Sequence, residues 1–168
     1  MIYRRPEISD RELLQDYVSE HRKNQETGIS ASMGLQSLDY DVWIARMHSN
    51  ALQGDPVFGK TLLYLCLDGD TLVGLLSIRY ELSVALSEKY GHIGYGVRPS
   101  QRKKGYAAQM LAYALSVCRE KGMKQVLLGC FKDNLASAAV IQKNGGVLAA
   151  ENDNYKQGRL SQYYLVKL

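Results

Sequence analysis

Cysteine is scarce in this chain, and the three that occur do not assemble. Cys66, Cys118 and Cys130 lie far apart in apolar surroundings. Their odd count and their spacing give neither a disulfide framework nor a metal-ligand pattern. They read as buried thiols in a reducing compartment. Long apolar runs are also missing. The stretch Thr61 to Leu67 is too short to span a bilayer. The N-terminal Met1-Ile2-Tyr3-Arg4-Arg5-Pro6-Glu7 has no apolar segment of the kind that directs export. The expectation is a cytoplasmic protein. No large excess of one charge is present either: 21 basic against 17 acidic residues leave +4. That is modest, and without aromatic-basic interleaving it does not call for nucleic acid. No repeat, low-complexity tract or second-domain boundary is visible. With 46% apolar and 23% charged residues among 168, the chain is expected to form one globular domain over residues 1–168.

Periodicity and punctuation give an element order. Ile2 to Arg5 reads as a strand ended by Pro6. Ser9 or Asp10 can cap a helix whose inner face is Leu13, Leu14, Tyr17 and Val18. Asn24 to Ser37, rich in Gly, Ser and Asn, reads as a loop. Asp39 to Leu52 reads as a second helix, stopped by Gly54-Asp55-Pro56. Thr61 to Leu67 and Thr71 to Tyr80 form a hairpin around Asp68-Gly69-Asp70. Leu82 to Lys89 is a short helix or loop, and Tyr90 to Val97 another strand. Glycine inside that strand, at 91, 94 and 96, marks either a bulge or positions that admit close neighbours. A helix follows, with Ala107, Leu111, Ala114, Leu115 and Cys118 on one face and Gly122 as its stop. Gln125 to Cys130 is a strand, and Asn134 starts a helix that ends at Asn144-Gly145-Gly146. Val147 to Ala150 and Leu160 to Leu168 close the chain as strands. The order β-α-α-β-β-β-α-β-α-β-β is that of an α/β domain with a mixed sheet.

The stretch Gly94 to Ala108 carries the chemistry. It is a strand, a short basic loop and a helix start. Arg102, Lys103 and Lys104 are adjacent cations, and Gly105 can take φ > 0. Ala107 and Ala108 leave the first helical turn without bulk. Free N–H groups and the positive end of the dipole at a helix N-terminus attract phosphate. The loop therefore reads as an anion cradle; the same residues would also make a solvated basic turn. Two familiar phosphate motifs are absent. There is no Gly-x-x-x-x-Gly-Lys-Ser/Thr run to hold a nucleotide and magnesium, and no Gly-x-Gly-x-x-Gly after the strand.

Arg102-Lys103-Lys104-Gly105-Tyr106-Ala107, just after Val97-Arg98-Pro99, resembles the Gln/Arg-x-x-Gly-x-Gly/Ala acetyl-CoA signature of the GNAT superfamily of N-acetyltransferases. The run from Gly91 to Ser100 resembles a bacterial branch of that superfamily. The resemblance is densest from Gly91 to Gly146. It implies a mixed, mostly antiparallel twisted sheet flanked by helices, with a bulged and splayed central strand. It also implies acetyl-CoA as co-substrate, no metal, and transfer of the acetyl group to a primary amine by direct attack on the thioester. The cofactor residues it implies are Arg102, Lys103, Lys104, Gly105, Tyr106, Ala107 and Ala108, with the Val97 N–H facing the oxyanion. Asn134 and Ser137 match positions that would hold the pantetheine arm, although Asn134 also reads as a plain N-cap. A homodimer is a further implication.

The acid and base depart from the family pattern. Where many relatives carry a glutamate early in the bulged strand or its neighbour, this chain has Tyr90-Gly91-His92. His92, whose imidazole titrates near neutrality, and Glu81, at the end of the preceding strand, are the candidate bases. Each also reads as a residue with no catalytic part: an edge histidine, a solvated glutamate. The helix tyrosine expected near the sulfur is Ile141. Tyr95, Tyr163 or Tyr164 could take its place, or water could serve. The acceptor pocket is expected between Gly28 and Trp43 and between Tyr80 and Tyr90, with Asp39, Asp41, Glu81 and Glu88 able to attract a cationic amine. The other function open to such a chain is an acyl-CoA-binding sensor or scaffold without turnover.

Overall fold

The computed structural model describes residues 1–55, 58–82, 89 and 91–168. Four strands form one antiparallel sheet: β1 (Ile2–Arg4), β2 (Thr61–Asp68), β3 (Thr71–Arg79) and β4 (Ile93–Val97), in spatial order β1-β2-β3-β4. Three more form a second sheet: β5 (Gln125–Phe131), β6 (Val147–Asn152) and β7 (Ser161–Lys167), in order β5-β7-β6. The helices are α1 (Arg11–Lys23), α2 (Tyr40–Leu52), α3 (Tyr106–Glu120) and α4 (Leu135–Lys143). This is the element order read from the sequence, with 3-10 turns added at Ile8–Asp10 and Pro99–Gln101. The expected segment at 82–89 and Pro56 fall largely outside the described residues.

Local chemistry accounts for the boundaries. Asp39 caps α2 by accepting from the N–H groups of Asp41 and Val42. Asn134 caps α4 by accepting from the Ser137 N–H. Asp10 does not cap α1 in this way. Its carboxylate accepts from Arg4, six positions back, at 2.5 and 2.7 Å and from the Glu7 N–H, so it serves the preceding turn rather than the first N–H groups of α1. Burial pushes the Asp10 carboxyl up, but the hydrogen bonds from Arg4 and the Glu7 N–H together with the Arg4 charge leave its pKa lowered.

The first sheet is covered on both faces, which explains why β3 is apolar almost without alternation. On one face α1 and α2 bring Leu14, Tyr17, Trp43 and Met47 onto Leu63, Leu65 and Leu75. On the other, α3 packs Met110, Leu111, Ala114 and Cys118 against Cys66, Val73, Leu76 and Ile78. That second core continues through Val126, Leu128, Tyr164 and Val166, so α3 holds the two sheets together. Burying one such leucine is worth about 1.5–3 kcal/mol.

The glycines of β4 have a definite purpose. The β3–β4 register runs unbroken from Gly74↔Val97 to Ile78↔Ile93; the shifts lie at Cys66/Leu67 in β2 and Leu148/Ala150 in β6. Gly94 and Gly96 therefore do not serve a break in pairing with β3. A Cβ on Gly96 would lie 2.8 Å from the Ser30 carbonyl oxygen, and one on Gly94 2.9 Å from Ser77 Oγ. They admit close neighbours, the other option their positions left open. No helix among the described residues is long and apolar enough to cross a membrane.

Candidate functional site

β4 and β5 are joined at one end and open at the other. The His92 N–H donates to the Leu127 carbonyl at 2.7 Å, and the Leu127 N–H donates to His92 Nδ1 at 2.9 Å. Gly91, at φ +69°, lies so close that a Cβ would meet the Leu127 oxygen at 2.5 Å. Beyond this latch the strands belong to different sheets. The alternation of an antiparallel ladder tells which backbone groups face the gap. The His92 carbonyl and the Arg98 N–H bond to β3, so the groups of Ile93, Tyr95 and Val97 point the other way. On the opposite wall Lys124 and Lys132 bond to β7 or the residues flanking it, so those of Leu127, Gly129 and Phe131 face the gap. Leu127 is used by the latch. Tyr95 and Gly129 present their edges to a cleft of about 840 Å³.

The basic loop closes one end of that cleft. Lys103 (φ +64°) and Gly105 (φ +83°) are both left-handed and turn the chain into α3. Gly105 is the N-cap and offers no side chain to the first N–H groups of the helix. A Cβ there would meet nothing within 4 Å. The first turn of α3 thus faces open space lined by Lys103, Gly105, Tyr106, Ala107 and Ala108, which fits a phosphate or pyrophosphate. The side chains around it divide. Lys103 has no hydrogen-bond or ion-pair partner among the described residues. Lys104 Nζ donates to Gln101 Oε1 at 2.9 Å, and the Tyr106 hydroxyl to Asp68 at 2.5 Å. The guanidinium of Arg102 is turned to Glu26 and to the Val97 carbonyl.

Midway along the cleft, Tyr95 reaches α4. Its hydroxyl lies 2.9 Å from Ser137 Oγ and 3.4 Å from the Ser137 carbonyl. Burial pushes the phenol up to about 12, with the Ser137 bond acting against it. It stays protonated and can donate. Asn134, Ser137 and Cys130 line the same stretch. Burial raises the Cys130 thiol too. Ile141 is 1% exposed and belongs to the core; the phenol that reaches α4 comes from Tyr95 on β4.

The two candidate bases are placed differently. His92 does not line the cleft; its ring serves the latch. With Nδ1 accepting from Leu127, the ring proton sits on Nε2 and no lone pair remains for an incoming proton. Burial lowers its pKa further. Glu81 is exposed beyond the end of β3, paired with Lys60 Nζ at 2.9 Å. Tyr163 and Tyr164 pack in or beside the β7 core.

The far wall is built by the loop after α1. Ile29, Ser30 and Ala31 cross the glycines of β4 and line the cleft, with Arg79, Lys89 and Tyr155 beyond. Ala31 is held at φ +61°, a left-handed conformation costing about 1–2 kcal/mol away from glycine. No aspartate or glutamate is among the described lining residues. Asp39 is spent on its cap and Asp41 on Arg11 at 2.5 Å; Glu88 lies outside the described residues. Sequence reasoning did not single out Asp16, Glu20 or Glu26, which fasten the basic loop. Their partners are 76 to 82 positions away, and no local pattern marks such a pair.

Among solved structures the chain is similar to an acetyltransferase of Salmonella typhimurium that modifies the N-terminal serine of ribosomal protein L7/L12, with TM-score 0.70, 20% identity, and 99% of this chain and 94% of that one covered. It is similar to YncA of the same organism, solved with acetyl-CoA, at TM-score 0.71 and 16% identity over 99% and 93%. A variant of the spermidine N-acetyltransferase SpeG of Vibrio cholerae gives TM-score 0.68 and 13% identity over 99% and 95%. No curated protein sequence matches the chain. The model of the acetyltransferase (GNAT) family matches residues 30–146, more than half of the chain. On that match the chain belongs to the GNAT family of acetyltransferases.

Proposed function

We propose that this chain transfers an acetyl group from acetyl-CoA to a primary amine of a small molecule, peptide or protein. The observation that carries the reading is that one cleft holds both open strand edges and, at its end, an uncapped helix N-terminus facing empty space. Acetyl-CoA supplies the acetyl thioester. Lys103, Lys104 and the backbone from Gly105 to Ala108 hold its phosphates. The edges of Tyr95 and Gly129, with Asn134 and Ser137, hold the pantetheine amides. The N–H of Val97 points into the gap and is assigned to the developing oxyanion. The Tyr95 hydroxyl, hydrogen-bonded to Ser137, is assigned the proton for the departing thiolate. Of the two candidate bases, Glu81 can take a proton through water at the solvent side, whereas His92 has no lone pair to offer. The known acceptors of proteins with this fold range from a ribosomal protein N-terminus to spermidine, so the fold alone does not select one.

The reading treats 1–168 as one cytoplasmic domain without a metal. A homodimer has a candidate surface in β6, the free edge of its sheet, where Val147 is 70% exposed and Leu148 46%; light scattering tests it. The transferase is tested by thermal unfolding with acetyl-CoA, then by thiol release against a panel of amines. Stabilisation with amine-dependent release supports the enzyme. Stabilisation without release for any amine, peptides included, favours a binding module. No stabilisation refutes the cradle.

A further inference from the structure

The loop after α1 and the loop before α3 are joined by a forked ion pair. Arg102 Nη1–H and Nη2–H donate to Glu26 Oε1 and Oε2 at 2.6 and 2.8 Å, and its Nε–H donates to the Val97 carbonyl at 3.1 Å. Glu26 is itself anchored. His21 Nδ1 lies 2.7 Å from Oε2, and the Asn24 side chain donates to Oε1 at 2.6 Å. His21 is 2% exposed and packs its ring on Tyr17, whose hydroxyl donates to the Gly96 carbonyl at 3.4 Å. A second fastening lies beside the first: Arg98 donates to Asp16 at 2.5 Å and to Glu20, and the Ser100 N–H donates to Glu20 at 2.7 Å. Three residues after Glu26 begins the cleft wall Ile29–Ala31, pressed on Gly96 and carrying the strained Ala31. A wall held in an unfavourable backbone conformation needs its surroundings to over-determine it.

We infer that Glu26 is a positioning residue for acyl transfer, tying through Arg102 the wall that meets the acceptor to the loop that binds acetyl-CoA. Arg102, although it stands in the signature, then serves acceptor binding, and the phosphates are left to Lys103, Lys104 and the helix N–H groups. The inference rests on the transferase reading above. One ion pair belongs to both loops, so the wall is anchored on the cradle and loses that anchor when the pair is broken.

Glu26→Gln in the full chain tests it, with Arg102→Lys, which loses the planar fork, as the second variant should the first not fold. Acceptor KM should rise about fivefold or more while the acetyl-CoA Kd from calorimetry stays within about twofold. A Kd that rises in parallel with KM would mean the pair only holds the cradle and would overturn the inference; so would an unchanged KM. Amide exchange at residues 29–33 needs no acceptor. It should quicken roughly tenfold in the variant. A wild type that binds acetyl-CoA and acetylates no amine sinks the transferase reading, and exchange then decides the tie alone. Unchanged exchange overturns the tie whatever the activity.

Discussion

Replacing Gly105 by glutamate should leave the fold standing and remove stabilisation by acetyl-CoA. The added Cβ meets nothing within 4 Å, so there is no clash to relieve. The cost in the free protein is conformational: φ +83° is left-handed, which costs about 1–2 kcal/mol for a residue with a Cβ. At roughly 2–4 °C per kcal/mol for a domain of this size, the free variant should melt about 2–8 °C below the wild type. The effect on the ligand is larger. A carboxylate roughly 4 Å from a phosphate is opposed by about 4 kcal/mol per unit charge at the effective dielectric of a protein surface, close to a thousandfold in Kd. Acetyl-CoA at about one hundred times the wild-type Kd stabilises the wild type by about 2.7 kcal/mol. At the same concentration the variant is mostly unliganded. Differential scanning fluorimetry with and without acetyl-CoA reads both quantities. Gly105→Ala, which carries the backbone cost without the charge, should keep part of the shift. A folded Gly105→Glu protein with the full wild-type shift would refute the cradle.

Tyr95→Phe should lower kcat in the thiol-release assay with the acetyl-CoA Kd nearly unchanged, since only the phenol at Ser137 is lost; an unchanged kcat would move the acid to water. His92 has its pKa lowered by burial, so unfolding takes up protons below the ordinary imidazole value of 6.5. Its contribution to stability is complete above that pH and declines below it. Between about pH 8 and about pH 5.5 the wild type should therefore lose more unfolding free energy than His92→Gln; parallel curves would mean His92 is not held neutral. Gly91→Ala combines a left-handed φ of +69° with a contact of 2.5 Å to the Leu127 oxygen. It should destabilise by at least about 1–2 kcal/mol and loosen the β4–β5 latch, seen as faster amide exchange at His92; a Tm equal to the wild type would contradict the latch.

Much of this protein is legible in one dimension. The element order follows from local rules: the hairpin from Asp68-Gly69-Asp70, the helix ends from Gly122 and Gly145, the caps from Asp39 and Asn134. The cradle is legible for the same reason, because every part of it lies between Val97 and Ala108. What is not local was not legible. His92 looked like a base and is committed to Leu127, 35 positions away. Asp39 and Asp41 looked like acceptor contacts and are occupied beside α2. The glycines of β4 pointed to some close approach without naming Ser30 and Ser77 as its cause. Glu26 gave no signal, since its meaning depends wholly on Arg102.

The sequence by itself determined the kinds of element, their order and the basic turn that opens α3, because each depends on backbone preferences and on charges a few residues apart. The tertiary structure decided which polar side chains remain available for chemistry. A carboxylate or an imidazole is free only if no partner from a distant segment reaches it first, and that is settled by packing.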